Sequence, residues 1–191
     1  MKKATLISFL LIATCQSIFA LDIDSTVNKK INLIVEYQFL RSTHSTYFKG
    51  GNIIIAKNIS KRSSLGLGAE YAYCPAHGDN GYFLYNLNLI PVFVDYRYSL
   101  LKQSKIKPYL QADLGYSFVK YREVSLSPPY AERYVKEGGI YLKGAIGASY
   151  RINKFITPII SLGFKGFHNS LNDLDINPHG IVMSAGLNIN L

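Results

Sequence analysis

The sequence predicts an all-β protein: an eight-stranded antiparallel up-and-down transmembrane β-barrel. Three observations carry that prediction. Eight segments alternate apolar and polar residues with a period of two, giving each strand one oily and one wet face. The links between them alternate between short and long, so the turns at one rim differ from those at the other. Finally, the aromatic residues of the oily faces gather at the strand ends and leave Leu, Ile, Val and Ala in the middles.

The chain opens on MKKATLISFLLIATCQSIFA, in which Lys2 and Lys3 precede an apolar run that closes on Ala20. This is the pattern of a secretory signal peptide over residues 1–20, with the barrel domain over residues 21–191 and Leu21 as its first residue. The apolar stretch 4–14 is shorter than the roughly 20 residues a spanning helix needs. Thr14 before Cys15 is not the small residue a lipoprotein signal requires. Loss of Cys15 leaves Cys74 alone, which excludes an intrachain disulfide. Loss of Lys2 and Lys3 leaves 19 basic residues against 12 acidic ones, so the net charge of +9 falls to +7. The bases form no single run, and nucleic acid is not an expected partner.

In the first strand, INLIVEYQF, the oily set is Ile31, Leu33, Val35, Tyr37 and Phe39. The second, GGNIIIAKN, is the least regular, with Ile53 and Ile55 on one side and Ile54 on the other. The third sets Leu65, Leu67, Ala69, Tyr71 and Tyr73 against Ser64, Gly66, Gly68 and Glu70. In the fourth, the oily phase runs Leu87, Leu89 and resumes as Val92, Val94, Tyr96, Tyr98, which places a bulge at Ile90-Pro91. The fifth, IKPYLQADLGYSF, turns Ile106, Leu110, Leu114 and Phe118 one way and Lys107, Gln111 and Asp113 the other. The sixth has Ile140, Leu142, Ile146, Ala148, Tyr150 and Ile152 on its oily side; the seventh has Ile156, Ile160, Leu162 and Phe164. The eighth, IVMSAGLNINL, has Ile181, Met183, Ala185, Leu187, Ile189 and Leu191.

The short links KNISKRSS, LKQSK and NKF fall on one rim with both termini, and long loops on the other, the longest covering residues 120–139. Which face points inward is decided by the aromatics. Tyr37, Phe39, Tyr71, Tyr73, Phe83, Tyr85, Tyr116, Phe118 and Phe164 lie next to long loops, and Tyr96, Tyr98 and Tyr150 lie towards the short turns. Membrane interfaces select such sorting by depth; a soluble core does not. The oily faces therefore contact lipid. The wet faces carry four acids, Glu36, Glu70, Asp95 and Asp113, and four bases, Arg97, Lys143, Arg151 and Lys165. Inside eight strands these charges pair across the lumen and fill it. The bases Lys57, Lys61, Arg62, Lys102, Lys105 and Lys154 mark the short-turn rim, where they either meet anionic headgroups or solubilise the turns.

These features resemble the eight-stranded outer-membrane barrels of the OmpA and OmpX type, and the short outer-membrane β-barrel domain proteins of Gram-negative bacteria. The closing SAGLNINL is similar to the assembly signal of that class, with Leu191 where the class usually ends in Phe. The resemblance implies insertion in the bacterial outer membrane with periplasmic termini, recognition of the C-terminal segment by the barrel assembly machinery, and contact with outer-membrane lipid and lipopolysaccharide. It also implies a non-enzymatic role in adhesion, surface interaction or envelope maintenance through the outer loops. A soluble lipocalin-like binder is the alternative fold reading, and the absence of Trp argues against it.

No phosphate loop, dinucleotide motif, zinc Cys pair or carboxylate dyad is present, and no cofactor or metal site is expected. The histidines His44, His77, His168 and His179 are scattered over outer loops and their edges. One segment, FHNSLNDLDINPHGIV, resembles the active-site segment of the outer-membrane lipid A 3-O-deacylases. The resemblance would make His168 the base and Ser170 the nucleophile, with Gly180 matching the family's Gly. The sequence departs at Leu171, where that family has Asn, and at Val182, where it has the Glu that orients the His. The nearest acids are Asp173 and Asp175. The lipid A esterase is thus an alternative, and no catalytic residue is assigned in the favoured reading.

Overall fold

A computed structural model describes residues 31–43, 46–79, 81–101, 104–128, 131–168 and 178–191. The expected signal peptide, His44, Lys102, Tyr130, Ser170, Leu171, Asp173 and Asp175 lie outside these residues. The described chain forms β1 (Ile31–Ser42), β2 (Tyr47–Asn58), β3 (Ser63–Asp79), β4 (Tyr82–Ser99), β5 (Ile106–Ser125), β6 (Glu132–Tyr150), β7 (Ile156–His168) and β8 (Gly180–Asn190). Each strand pairs antiparallel with its sequence neighbour, and β8 returns to β1 through pairs from Asn32↔Asn190 to Ser42↔Gly180, closing an eight-stranded barrel. Closure leaves no sheet edge along the barrel wall, the condition a sheet must meet in lipid.

The apolar faces point outward. Along β5, Ile106, Leu110, Leu114 and Phe118 are exposed on the outside, while Gln111 and Asp113 are buried within. The same phase holds in β1, where Val35 and Tyr37 face out and Ile34, Glu36 and Gln38 face in. The irregular β2 is a full strand of 12 residues, with Ile53 and Ile55 outside and Ile54 in the interior.

The structure corrects the fourth strand. Leu87 and Leu89 face the interior, and the phase is unbroken from Leu87 to Arg97, straight through Ile90-Pro91. The register slips earlier, between Tyr85 and Asn88. Asn86 sits there at φ 54°, a left-handed conformation that Asn tolerates better than most residues. The bulge turns Leu84, Leu87 and Leu89 onto the inner face on both sides of the slip.

Three of the outer links, β1–β2, β3–β4 and β5–β6, are shorter than expected. Most of residues 120–139 is strand: β5 has 20 residues, β6 has 19, and their ladder continues to Val124↔Glu132. β3 and β4 have 17 and 18 residues and pair as far as Asp79↔Tyr82. About 9–11 residues suffice to cross a bilayer, so β3 to β6 project well past the outer rim as a four-stranded sheet. Its cross-strand chemistry is polar: Glu123 lies opposite Arg133, Arg133 Nη2 reaches Glu123 Oε2 at 3.0 Å, and Arg122 Nη1 reaches Glu132 Oε1 at 3.3 Å.

Candidate functional site

The lumen is the most constrained polar region of the chain, and it is layered along the barrel axis. At the outer end, Leu40, Phe48, Cys74, Leu84, Leu87, Leu89, Val119, Tyr121 and Val182 form an apolar layer. Below it the rings of Phe93, Tyr141 and Phe167 pack at tilted angles, with centroids 5.3 Å apart at both contacts. Glycine makes the space: a Cβ on Gly68 would come 2.6 Å from the Phe93 ring, and one on Gly147 would come 2.3 Å from the ring of Tyr109.

The charged groups occupy the middle in two clusters. Lys165 Nζ donates to Glu70 Oε1 at 2.7 Å and to Gln38 Oε1, and Tyr141 Oη donates to Glu70 Oε2 at 3.3 Å. In the second cluster Arg97 bridges two carboxylates, with Nη2 to Glu36 Oε1 at 3.0 Å and Nε to both oxygens of Asp95 at 3.1 Å. Asn52 donates to Glu36 Oε2 at 2.9 Å, and the Gln111 amide is shared between Asp95 and Asp113 at 2.9 and 3.1 Å. Lys143 Nζ stands 3.8 Å from Asp113 Oδ2 and 3.9 Å from Glu36 Oε2, outside hydrogen-bond reach, and acts as a point charge between them.

Seven of the eight charged residues assigned to the wet face by sequence are therefore inside. Arg151 is not: β6 ends at Tyr150, and Arg151 lies exposed in the turn that follows. Among the described residues the middle of the lumen holds four acids and three bases, and the Asn52 and Gln111 amides and the Tyr141 hydroxyl take up the remaining carboxylate oxygens. With the middle of the lumen filled by these side chains, planar-bilayer recordings of the refolded protein are expected to show no steady channel conductance. A large, reproducible open level would contradict the packed interior.

The outer surface shows the aromatic sorting expected of two interfaces. Towards the long-link end, Tyr71 Oη donates to Asn88 Oδ1 at 2.6 Å and Tyr73 Oη to Asn86 Oδ1 at 2.9 Å, while Tyr116 and Phe118 meet edge to face at 5.2 Å. Towards the short turns, Tyr96 Oη lies 3.1 Å from Ser63 Oγ, and Tyr98 Oη accepts from Arg62 Nη1 at 3.2 Å. The hydroxyls of Tyr71, Tyr73, Tyr96 and Tyr98 thus each find a polar partner at their own end of the barrel.

The histidine-serine segment assembles only in part. His168 ends β7, exposed and directed outward, opposite Ile140 of β6. Gly180 begins β8 opposite Ser42. Position 182, which the deacylase resemblance would give to an orienting acid, holds Val182 buried in the interior, on the opposite side of the barrel wall from His168. A side chain there cannot hold an outward imidazole, because successive residues of a strand face opposite sides. Of the other histidines, His77 hydrogen-bonds Thr46 Oγ1, and the backbone carbonyl of His179 accepts from Thr43 N. Among the described residues no group of three or more His, Cys, Asp or Glu side chains is placed to hold a metal.

Apart from the start of β4 the projecting β3–β6 sheet is not legible as strand in the sequence, and its surface differs from that of the barrel wall. Tyr134 is 81% exposed, beside the Arg133–Glu123 pair. Arg122 lies over the Tyr85 ring at 5.0 Å. Arg133 is held in its charged form above the usual guanidinium range by its hydrogen bonds and charge contact with Glu123.

The architecture defines the class: a closed eight-stranded transmembrane β-barrel with a packed polar lumen. A major outer membrane protein from Thermus thermophilus superposes with a TM-score of 0.61 at 10% identity, over 86% of this chain and 100% of that one. Neisserial surface protein A superposes with a TM-score of 0.54 at 14% identity, over 85% of this chain and 96% of that one. No protein-family model matches the sequence, and no curated protein is recognisably related to it. The expected likeness to eight-stranded outer-membrane barrels thus holds at the level of fold.

Proposed function

We propose that the mature chain is a non-enzymatic barrel of the bacterial outer membrane that presents the β3–β6 sheet outside the cell, for adhesion, surface interaction or envelope maintenance. The observation that carries this reading is the pairing of a lumen filled by ion-paired side chains with a sheet that extends beyond the wall. A barrel whose middle is filled by paired side chains offers its projecting sheet as the surface for contacts outside the cell. Contact with lipid and lipopolysaccharide along the wall, and recognition of the C-terminal β8 by the barrel assembly machinery, belong to the same proposal. In this orientation the described ends, Ile31 and Leu191, face the periplasm with the short turns.

The reading is tested by expressing the full chain with its leader, separating envelope fractions, and running the protein on gels with and without boiling. The expected result is recovery with outer membranes and a band that shifts on boiling, as the closed barrel unfolds. Recovery as a soluble periplasmic protein would overturn the proposal and favour the lipocalin-like alternative.

A further inference from the structure

At the short-turn end the barrel opens into a recess of about 460 Å³. Six basic residues line it, Lys61, Arg62, Arg97, Lys105, Lys107 and Arg151, and among the described residues no acidic one does. Arg97 is spent on Glu36 and Asp95 and closes the floor. Arg62, Lys105, Lys107 and Arg151 have no carboxylate partner among the described residues. The Arg62 guanidinium also keeps a buried Nε without a hydrogen-bond acceptor. The rest of the lining is largely Ser, Thr and Asn, which supply short hydroxyl and amide groups.

Four unmatched cations around one small volume repel one another, and low-dielectric walls strengthen that repulsion. Turn bases serving only solubility would spread outward into water. Here Lys107 and Arg62 are half-buried and line the mouth of the barrel instead. A monocarboxylate brings one negative charge, whereas a terminal phosphate brings about 1.5 to 2 near neutral pH, with three acceptor oxygens. Arginine matches phosphate geometry in a bidentate fork, and lysine adds a point charge. We infer that this recess is a binding site for a small phosphate-bearing polyanion at the short-turn mouth of the barrel. The site rests on the barrel geometry alone and does not depend on where the protein resides.

The test uses the full mature barrel refolded in a non-ionic, phospholipid-free detergent at about 0.15 M salt, titrated with inorganic pyrophosphate by calorimetry. The expected result is saturable one-to-one binding. The Lys107→Gln/Arg151→Gln and Arg62→Gln/Lys105→Gln variants are each expected to weaken it at least tenfold, with the boiling-dependent gel shift retained. Lys49→Gln/Lys136→Gln, which removes exposed bases remote from the recess, is expected to leave the affinity unchanged. Adding phosphatidylglycerol to the micelles distinguishes the two sources of phosphate. Unchanged pyrophosphate affinity assigns the site to a soluble polyanion, and competition assigns it to a lipid headgroup reaching in from the rim. Absence of saturable binding, or equal weakening by the recess and control variants, would overturn the site.

Discussion

Replacing Lys165 with methionine is expected to destabilise the barrel by about 3–5 kcal/mol, because it leaves a buried carboxylate without its counter-charge. Lys165 and Glu70 are both sealed from solvent, and Lys165 is also the donor to Gln38. Methionine fills much of the same volume, so the loss reports charge and hydrogen bonding rather than a cavity. Glu70→Gln removes the orphaned charge while keeping an acceptor for Tyr141 Oη. The double variant Lys165→Met/Glu70→Gln is therefore expected to recover most of the stability, giving a strongly non-additive cycle. Equilibrium unfolding by urea in phospholipid vesicles measures all three proteins. A single-variant loss below about 1 kcal/mol, or simple additivity, would show that the lumen is wet enough to screen the pair.

Leu114→Arg is expected to cost roughly 2–4 kcal/mol under the same conditions, the penalty for a cation on the lipid face of a transmembrane barrel. Leu114 is 57% exposed and stands between Val94 and Leu142, clear of both aromatic levels. If water covered this wall, removing an exposed leucine would be neutral within about 0.5 kcal/mol. Tyr134→Arg supplies that comparison, since Tyr134 lies on the projecting sheet and its replacement is expected to be neutral. Equal effects at the two positions would contradict the assignment of lipid to the wall.

Most of the barrel was legible because lipid imposes a rule on every wall residue: the outward position must be apolar, so alternation reports both strand and face. That is why β5 and β8 read correctly down to individual side chains. Where lipid ends, the rule lapses. In residues 120–139 both faces carry Tyr, Arg, Lys and Glu, and the strand that continues there has no hydropathy pattern to betray it. The β4 bulge was misplaced for a related reason. Leucines fill the inner face on both sides of the slip, so no polar residue marks the change, and Pro91 is a more conspicuous bulge signal than Asn86. The YNLN stretch at 85–88 carried the available clue, an Asn where the backbone needs a left-handed residue.

The phase of β4 also decides whether the apolar layer is legible. With Leu87 and Leu89 assigned to lipid, the interior reads as polar throughout, whereas in the structure its outer end is closed by leucine, valine and aromatic side chains. Arg151 fell outside the lumen because alternation continues past the end of β6 without a break in composition. The basic recess was half legible: sequence located Lys61, Arg62 and Lys105 on the short-turn rim. Only barrel closure shows that they meet Lys107 and Arg151 around one mouth.

The central claim is that the alternating face of β5 lies in lipid. It is tested most directly by nitroxide scanning of positions 110–118, one cysteine at a time in a Cys74→Ser background, in phospholipid vesicles. Collision rates with oxygen, which concentrates in the bilayer, and with a water-soluble nickel chelate are then compared position by position. The account predicts a period of two, with 110, 112, 114, 116 and 118 open to oxygen and closed to nickel, and 111, 113, 115 and 117 closed to both. Nickel access at the even positions would contradict it and return the apolar face to water.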